Sequence, residues 1–237
     1  MALTLGLAVL AWQARNDAQR RLEQGEDLVA FMLGDLRRQL EKVGRLDVLE
    51  AVGEKAMAYF AGLNPRDLTD LSLARHAQAL TQIGEIRMLQ TRYPEAARAF
   101  STAYESASAL AARHPRDGEM LFQRGQAEYC IGDVHWRRGD LPLARTWLMR
   151  YRDTSQSLVA LDPERPEWQS ELAWGQHNMA VLDMDRSQFG DASAGFLGEL
   201  ATLKKLAGTK PAENQLQVRI ADTTSFLGAL AEREGRY

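Results

Sequence analysis

The sequence predicts an all-α fold made of repeated helix pairs, and three observations carry the prediction. Strong helix formers (Ala, Leu, Arg, Glu and Gln) dominate the middle of the chain, with few runs of Val, Ile or Thr that would suggest strands. Apolar residues recur three and four apart, as the buried stripe of an amphipathic helix requires. Shifted against itself by 48 residues, the second half of the sequence falls into register.

Gly84, Gly132, Ala180 and Gly228 share one column of that register. The residue before each is Ile83, Ile131, Met179 or Leu227, and two after each stands Ile86, Val134, Leu182 or Leu230. Further on, Ala96, Ala144 and Ala192 align, then Phe100, Leu148 and Phe196, then Leu110, Leu158 and Leu206. Pro115, Pro163 and Pro211 close the copies, where proline stops helical propagation. The small residue lets a second helix approach the first closely. Pro94 and Pro142 sit in the first turn of the second helix, which tolerates a missing N–H. The predicted pairs are 72–91 with 94–113, 119–138 with 142–161, and 167–186 with 191–207, followed by a lone helix at 214–234.

Upstream, residues 13–43 read as one long helix whose apolar side carries Leu22, Leu28, Phe31, Met32, Leu36, Leu40 and Val43. Gly44 breaks it, and 46–63 forms a partner helix ending in the Asn64-Pro65 turn. The organisation is therefore an apolar N-terminal segment, 1–24, a helical pair at 25–65 that is a degenerate first repeat or a cap, and a repeat domain at 71–237. The repeats span 71–117, 118–165 and 166–213, with an unpaired helix in 214–237.

The run from Ala2 to Trp12 is apolar and uncharged, and Arg15, Arg20 and Arg21 follow it. It is half of the roughly 20 residues a membrane span needs. Two readings stand: the second half of a transmembrane helix with Trp12 at interface depth, or the start of an ordinary packed helix. The first makes the protein membrane-associated and the second makes it cytoplasmic.

The repeat resembles the tetratricopeptide repeat: a small residue, Ala twelve later and an aromatic or leucine four beyond, as in Gly84/Ala96/Phe100, Gly132/Ala144/Leu148 and Ala180/Ala192/Phe196. The family's unit is about 34 residues, so each copy here is lengthened by about 14, close to two turns in each helix. Where the family places an aromatic three after the small residue, this chain has Arg87, His135 and Asp183. The resemblance implies a right-handed α-solenoid whose first helices line a concave, protein-binding groove. Carried over position by position, it nominates Gln78, Thr81, Glu85 and Met88 in the first repeat. Gln126, Tyr129, Asp133, Trp136 and Arg137 follow in the second, and Trp174, His177, Val181 and Asp185 in the third. Asp222, Ser225, Glu232 and Arg233 are the counterparts on the last helix. Trp136 and Trp174 read equally as interface anchors or as filling between long helices. The family's clamp for acidic peptide tails needs Lys and Asn at positions that hold Thr, Tyr and His, then Glu, Asp and Val here. A basic or neutral segment is the expected guest.

Other chemistries fit the sequence poorly. A net charge of -3 and a pI near 5.9 give no basic field for nucleic acid. A single cysteine, Cys130, excludes an internal disulfide. Cys130 and His177 lie at one level on adjacent first helices, but no orienting carboxylate or oxyanion donor accompanies them. Asp183 and Asp185 with His135 or His177 match no metal-ligand spacing. The glycines stand singly, not in a phosphate loop. The expectation is a non-catalytic protein-interaction scaffold with no cofactor, no metal and a protein or peptide partner. Two alternatives remain: the sensory arm of a membrane-anchored bacterial signalling protein, such as a kinase whose catalytic part lies elsewhere, and a self-association module that forms homo-oligomers.

Overall fold

A computed structural model describes residues 50–62, 68–209 and 214–233, with a few isolated positions upstream. The apolar run at 2–11, the Gly44 break, the Asn64-Pro65 turn and most of the 13–43 helix lie outside the described residues. Eight α-helices and no strand are found among those described. They are α1 (Glu50–Ala61), α2 (Asp70–Leu89), α3 (Tyr93–Arg113), α4 (Gly118–Arg137), α5 (Leu141–Leu161), α6 (Pro166–Asp185), α7 (Phe189–Thr209) and α8 (Asn214–Arg233). None is long and apolar enough to cross a membrane. The chain divides into two compact units, residues 1–110 and 111–237, with the boundary inside α3.

Helix starts follow from capping. The Thr69 hydroxyl accepts from the Ser72 N–H, Asp117 from Glu119 and Met120, and Asp140 from Leu143, satisfying donors that the first turn leaves open. Helix ends follow from one turn used three times. Thr91 (φ 59°), Gly139 (φ 77°) and Ser187 (φ 59°) are left-handed and stand 48 residues apart. In each copy the next residue's N–H reaches back five positions, Arg92 to Arg87, Asp140 to His135 and Gln188 to Asp183. That bond closes the helix as a Schellman motif does. The repeat is thus written in the backbone as well as in the side chains.

In the first unit, α1 meets α2 through an ion pair of Arg87 with Glu54 at 2.7 Å. The α2–α3 pair closes where the Phe100 ring lies directly over Gly84, so that a side chain on Gly84 would strike the ring. Leu73, Leu80, Ile83, Phe100 and Leu110 are fully buried here. So is a polar contact, His76 Nδ1 with Ser106 Oγ at 2.8 Å. Burial holds the imidazole neutral, its pKa lowered to about 4.

In the second unit each helix packs on the next, α4 to α8 in order, the stacked helix pairs of an α-solenoid. Leu148 fills the space over Gly132; a methyl there would lie 2.8 Å from the Leu148 side chain and 3.2 Å from its backbone N. The third pair exchanges the roles. Ala180 occupies the small column, and Gly195 on the opposing helix makes room, its missing methyl 2.9 Å from the Ala180 Cβ. The fourth member, Gly228 on α8, has no neighbour within 4 Å of such a methyl.

Candidate functional site

The sequence-nominated residues fall into three settings. On α2, Gln78 is exposed, Thr81 turns its hydroxyl back to the Ala77 carbonyl at 2.9 Å, and Glu85 and Met88 are half-buried. On α4 and α6 several of them are engaged with neighbouring side chains. Gln126 Nε2 donates to Glu171 at 2.8 Å, and the same carboxylate oxygen accepts from the Tyr151 hydroxyl at 2.6 Å. Tyr129 packs on the Tyr151 ring, centroids 5.5 Å apart. Burial and the Glu171 carboxylate push the Tyr151 phenol well above its ordinary range, so it remains a donor. Trp136 packs on the cluster of Ala144, Leu148, Met179 and Leu182, and its indole N–H donates to Asp185 at 2.8 Å. Asp133 is held by Arg137 one turn on, at 2.9 Å.

Trp174, His177 and Asp222 have a different setting. They line a pocket of about 520 Å³ between α6, α7 and α8, together with Glu199, Arg219 and Phe226. That volume lies in the range of ligand pockets. At its floor the Glu199 carboxylate is 1% exposed, with His177 Nδ1 2.9 Å from Oε2 and Arg219 Nη2 3.2 Å from Oε1. A buried carboxylate needs such partners, because desolvation otherwise disfavours its charge. The Arg219 guanidinium lies 3.9 Å over the Trp174 ring, and Trp174 meets the His177 ring edge-on at 5.8 Å. Phe226 stacks flat on Phe196, 4.9 Å apart and 2° from parallel, and forms the far wall. Trp174 is nonetheless 44% exposed.

Glu199, Arg219 and Phe226 were not among the sequence candidates. Glu199 carried a signal: it is a carboxylate on the α7 stripe otherwise made of Phe196, Leu203 and Leu206. Arg219 and Phe226 carried none, since only the packing of α8 on α7 brings them to Trp174.

The catalytic arrangements weighed from sequence gain no support. His177 is directed at Glu199. His76 and Ser106 form a Ser–His contact, but they are 1% and 0% exposed, out of reach of a substrate. Among the described residues no three His, Cys, Asp or Glu side chains are grouped to hold a metal ion.

No protein-family model matches the chain, and no curated protein matches it. Among solved structures, the fold is similar to that in the crystal structure of BtubC (BKLC) from P. vanneervenii, with a TM-score of 0.64. The match covers 93% of this chain and 83% of that one at 14% identity. Identity that low speaks to the fold alone.

Proposed function

We propose that this chain is a non-catalytic protein-interaction scaffold of lengthened tetratricopeptide-like repeats, holding a peptide or a partner domain against its first helices. The Trp174 pocket is the anchor point. The observation that carries this reading is a large aromatic left 44% exposed while Arg219 and His177 hold it in one orientation. Trp and Arg are the residue types that most often dominate binding energy, and an anchor ordered before contact loses little entropy on binding. Gln126, Tyr129 and Trp136 belong to the support of the fold, because Gln126 and Trp136 donate to carboxylates of the next repeat and the Tyr129 ring packs on Tyr151.

The test is affinity capture with the full chain against Trp174→Ala, with circular dichroism confirming that both are folded to the same extent. Loss of the captured proteins with Trp174→Ala is expected. Equal capture by the two would remove the pocket from the interface.

A further inference from the structure

Arg219 shows what the pocket is built to hold. Its guanidinium lies against the Trp174 face at 3.9 Å and donates to a carboxylate that is 1% exposed. A flat aromatic face with a buried anion beside it matches a guanidinium in shape, charge and donor geometry. Asp222, one turn along α8 from Arg219, is exposed at the rim and makes no ion pair among the described residues. The pocket therefore carries two carboxylates, Glu199 and Asp222, for one arginine.

We infer that Arg219 is an internal stand-in, and that the pocket receives an arginine side chain of the bound polypeptide in its place. The inference rests on the scaffold reading above and names the chemistry of its anchor. The exchange adds one ion pair. Before binding, Arg219 pairs with Glu199 and Asp222 faces water. Afterwards the incoming guanidinium takes Glu199 and the Trp174 face, and Arg219 swings to Asp222, the i,i+3 neighbour that a helix places within its reach. His177 stays on the other Glu199 oxygen throughout, so the floor of the pocket does not have to rearrange. The net negative balance of the site favours a basic guest over an acidic one.

The experiment titrates the full chain with a blocked peptide, acetyl-Gly-Arg-Gly-amide, and with its Lys and Glu counterparts, by calorimetry. The Arg peptide is expected to bind more tightly than the Lys peptide, and the Glu peptide not to bind. Arg219→Ala empties the seat. If Arg219 leaves it about one time in ten, the variant binds the Arg peptide about tenfold more tightly. Trp174→Ala abolishes the preference for Arg over Lys. Asp222→Asn weakens binding to the wild-type chain more than it does in the Arg219→Ala background, because Asp222 acts chiefly by receiving Arg219. Equal affinity for the three peptides, or no gain with Arg219→Ala, would overturn the inference. So would free L-arginine binding as tightly as the peptide, which would make the guest a small molecule. If partners are captured through Trp174 but without any arginine preference, the scaffold reading stands and this inference falls.

Discussion

Alanine at position 132 and alanine at position 228 are the same chemical change at the same repeat position in the same unit, and their effects should differ by the cost of overpacking alone. At Gly228 the new methyl meets no atom within 4 Å. Replacing a mid-helix glycine by alanine there should stabilise the protein by about 1 kcal/mol, the difference in helix propensity. At Gly132 the propensity gain is the same, but the methyl lies 2.8 Å from the Leu148 side chain and 3.2 Å from its backbone N. Leu148 is fully buried and cannot swing away, so α5 itself must shift. Forcing an extra methyl into a packed interface costs about 1–3 kcal/mol. The propensity terms cancel between the two variants, leaving that cost as their separation. For a chain of this size it corresponds to roughly 2–12 °C in melting temperature. Thermal melts of the full chain followed by circular dichroism read it directly. If both variants move the melting temperature in the same direction by the same amount, the close helix approach at Gly132 is not what the glycine provides.

Three further outcomes follow from particular residues. His76 has a folded pKa of about 4, below its ordinary 6.5, so the unfolded chain binds the proton first as the pH falls. Stability should be full above pH 6.5 and decline by about 3 kcal/mol between pH 6.5 and 4. Denaturant titrations at several pH values test this, and a His76→Gln variant that keeps the same slope would show that the decline comes from elsewhere. Trp168, 6% exposed against Gly118, should lose about 3–5 kcal/mol on truncation to alanine. Trp174→Ala should cost only about 1 kcal/mol, the value of its contact with Arg219; comparable losses at the two positions would make Trp174 a packing residue. Gly139→Thr should destabilise by about 1–2 kcal/mol through its φ of 77°, while Thr91→Gly should stabilise by a similar amount, both read from melting curves.

The helices between Asp70 and Arg233 were legible in the sequence to within two residues, and for a physical reason. Prolines at 94, 142 and 166 sit in first turns, and the left-handed residues at 91, 139 and 187 end the preceding helices, so each boundary has a local cause. The close approach at Gly84 and Gly132 was equally legible, because a small residue opposite a large one sixteen positions on is a pattern a sequence displays. Gly195 was harder to foresee, since its role appears only once Ala180 is seen facing it. The site was legible only in part. Trp136 stands four after the small residue of its repeat and Trp174 six before that of the next, and packing gives them different settings: Trp136 is closed in by the next pair, while Trp174 faces α8. Glu85, Asp133, Asp185 and Asp222 are all acidic groove nominations, yet Asp133 is tied to Arg137 and Asp185 to the Trp136 indole.

The exchange of roles between Ala180 and Gly195 bears on how such a chain can be inherited. A first helix carrying Gly132 fits a second helix that presents Leu148, whereas one carrying Ala180 needs a glycine facing it. Position 195 aligns in the register with Trp147, so α5 brought against α6 as its second helix would drive a tryptophan toward Ala180. With α7 brought against α4, Gly195 would stand where Trp147 stands and leave that volume unfilled. Single helices are therefore not interchangeable between copies. Duplication, loss or recombination that keeps the fold must move a first helix and its matched second helix together, so that the pair, rather than the helix, is the heritable unit of this architecture.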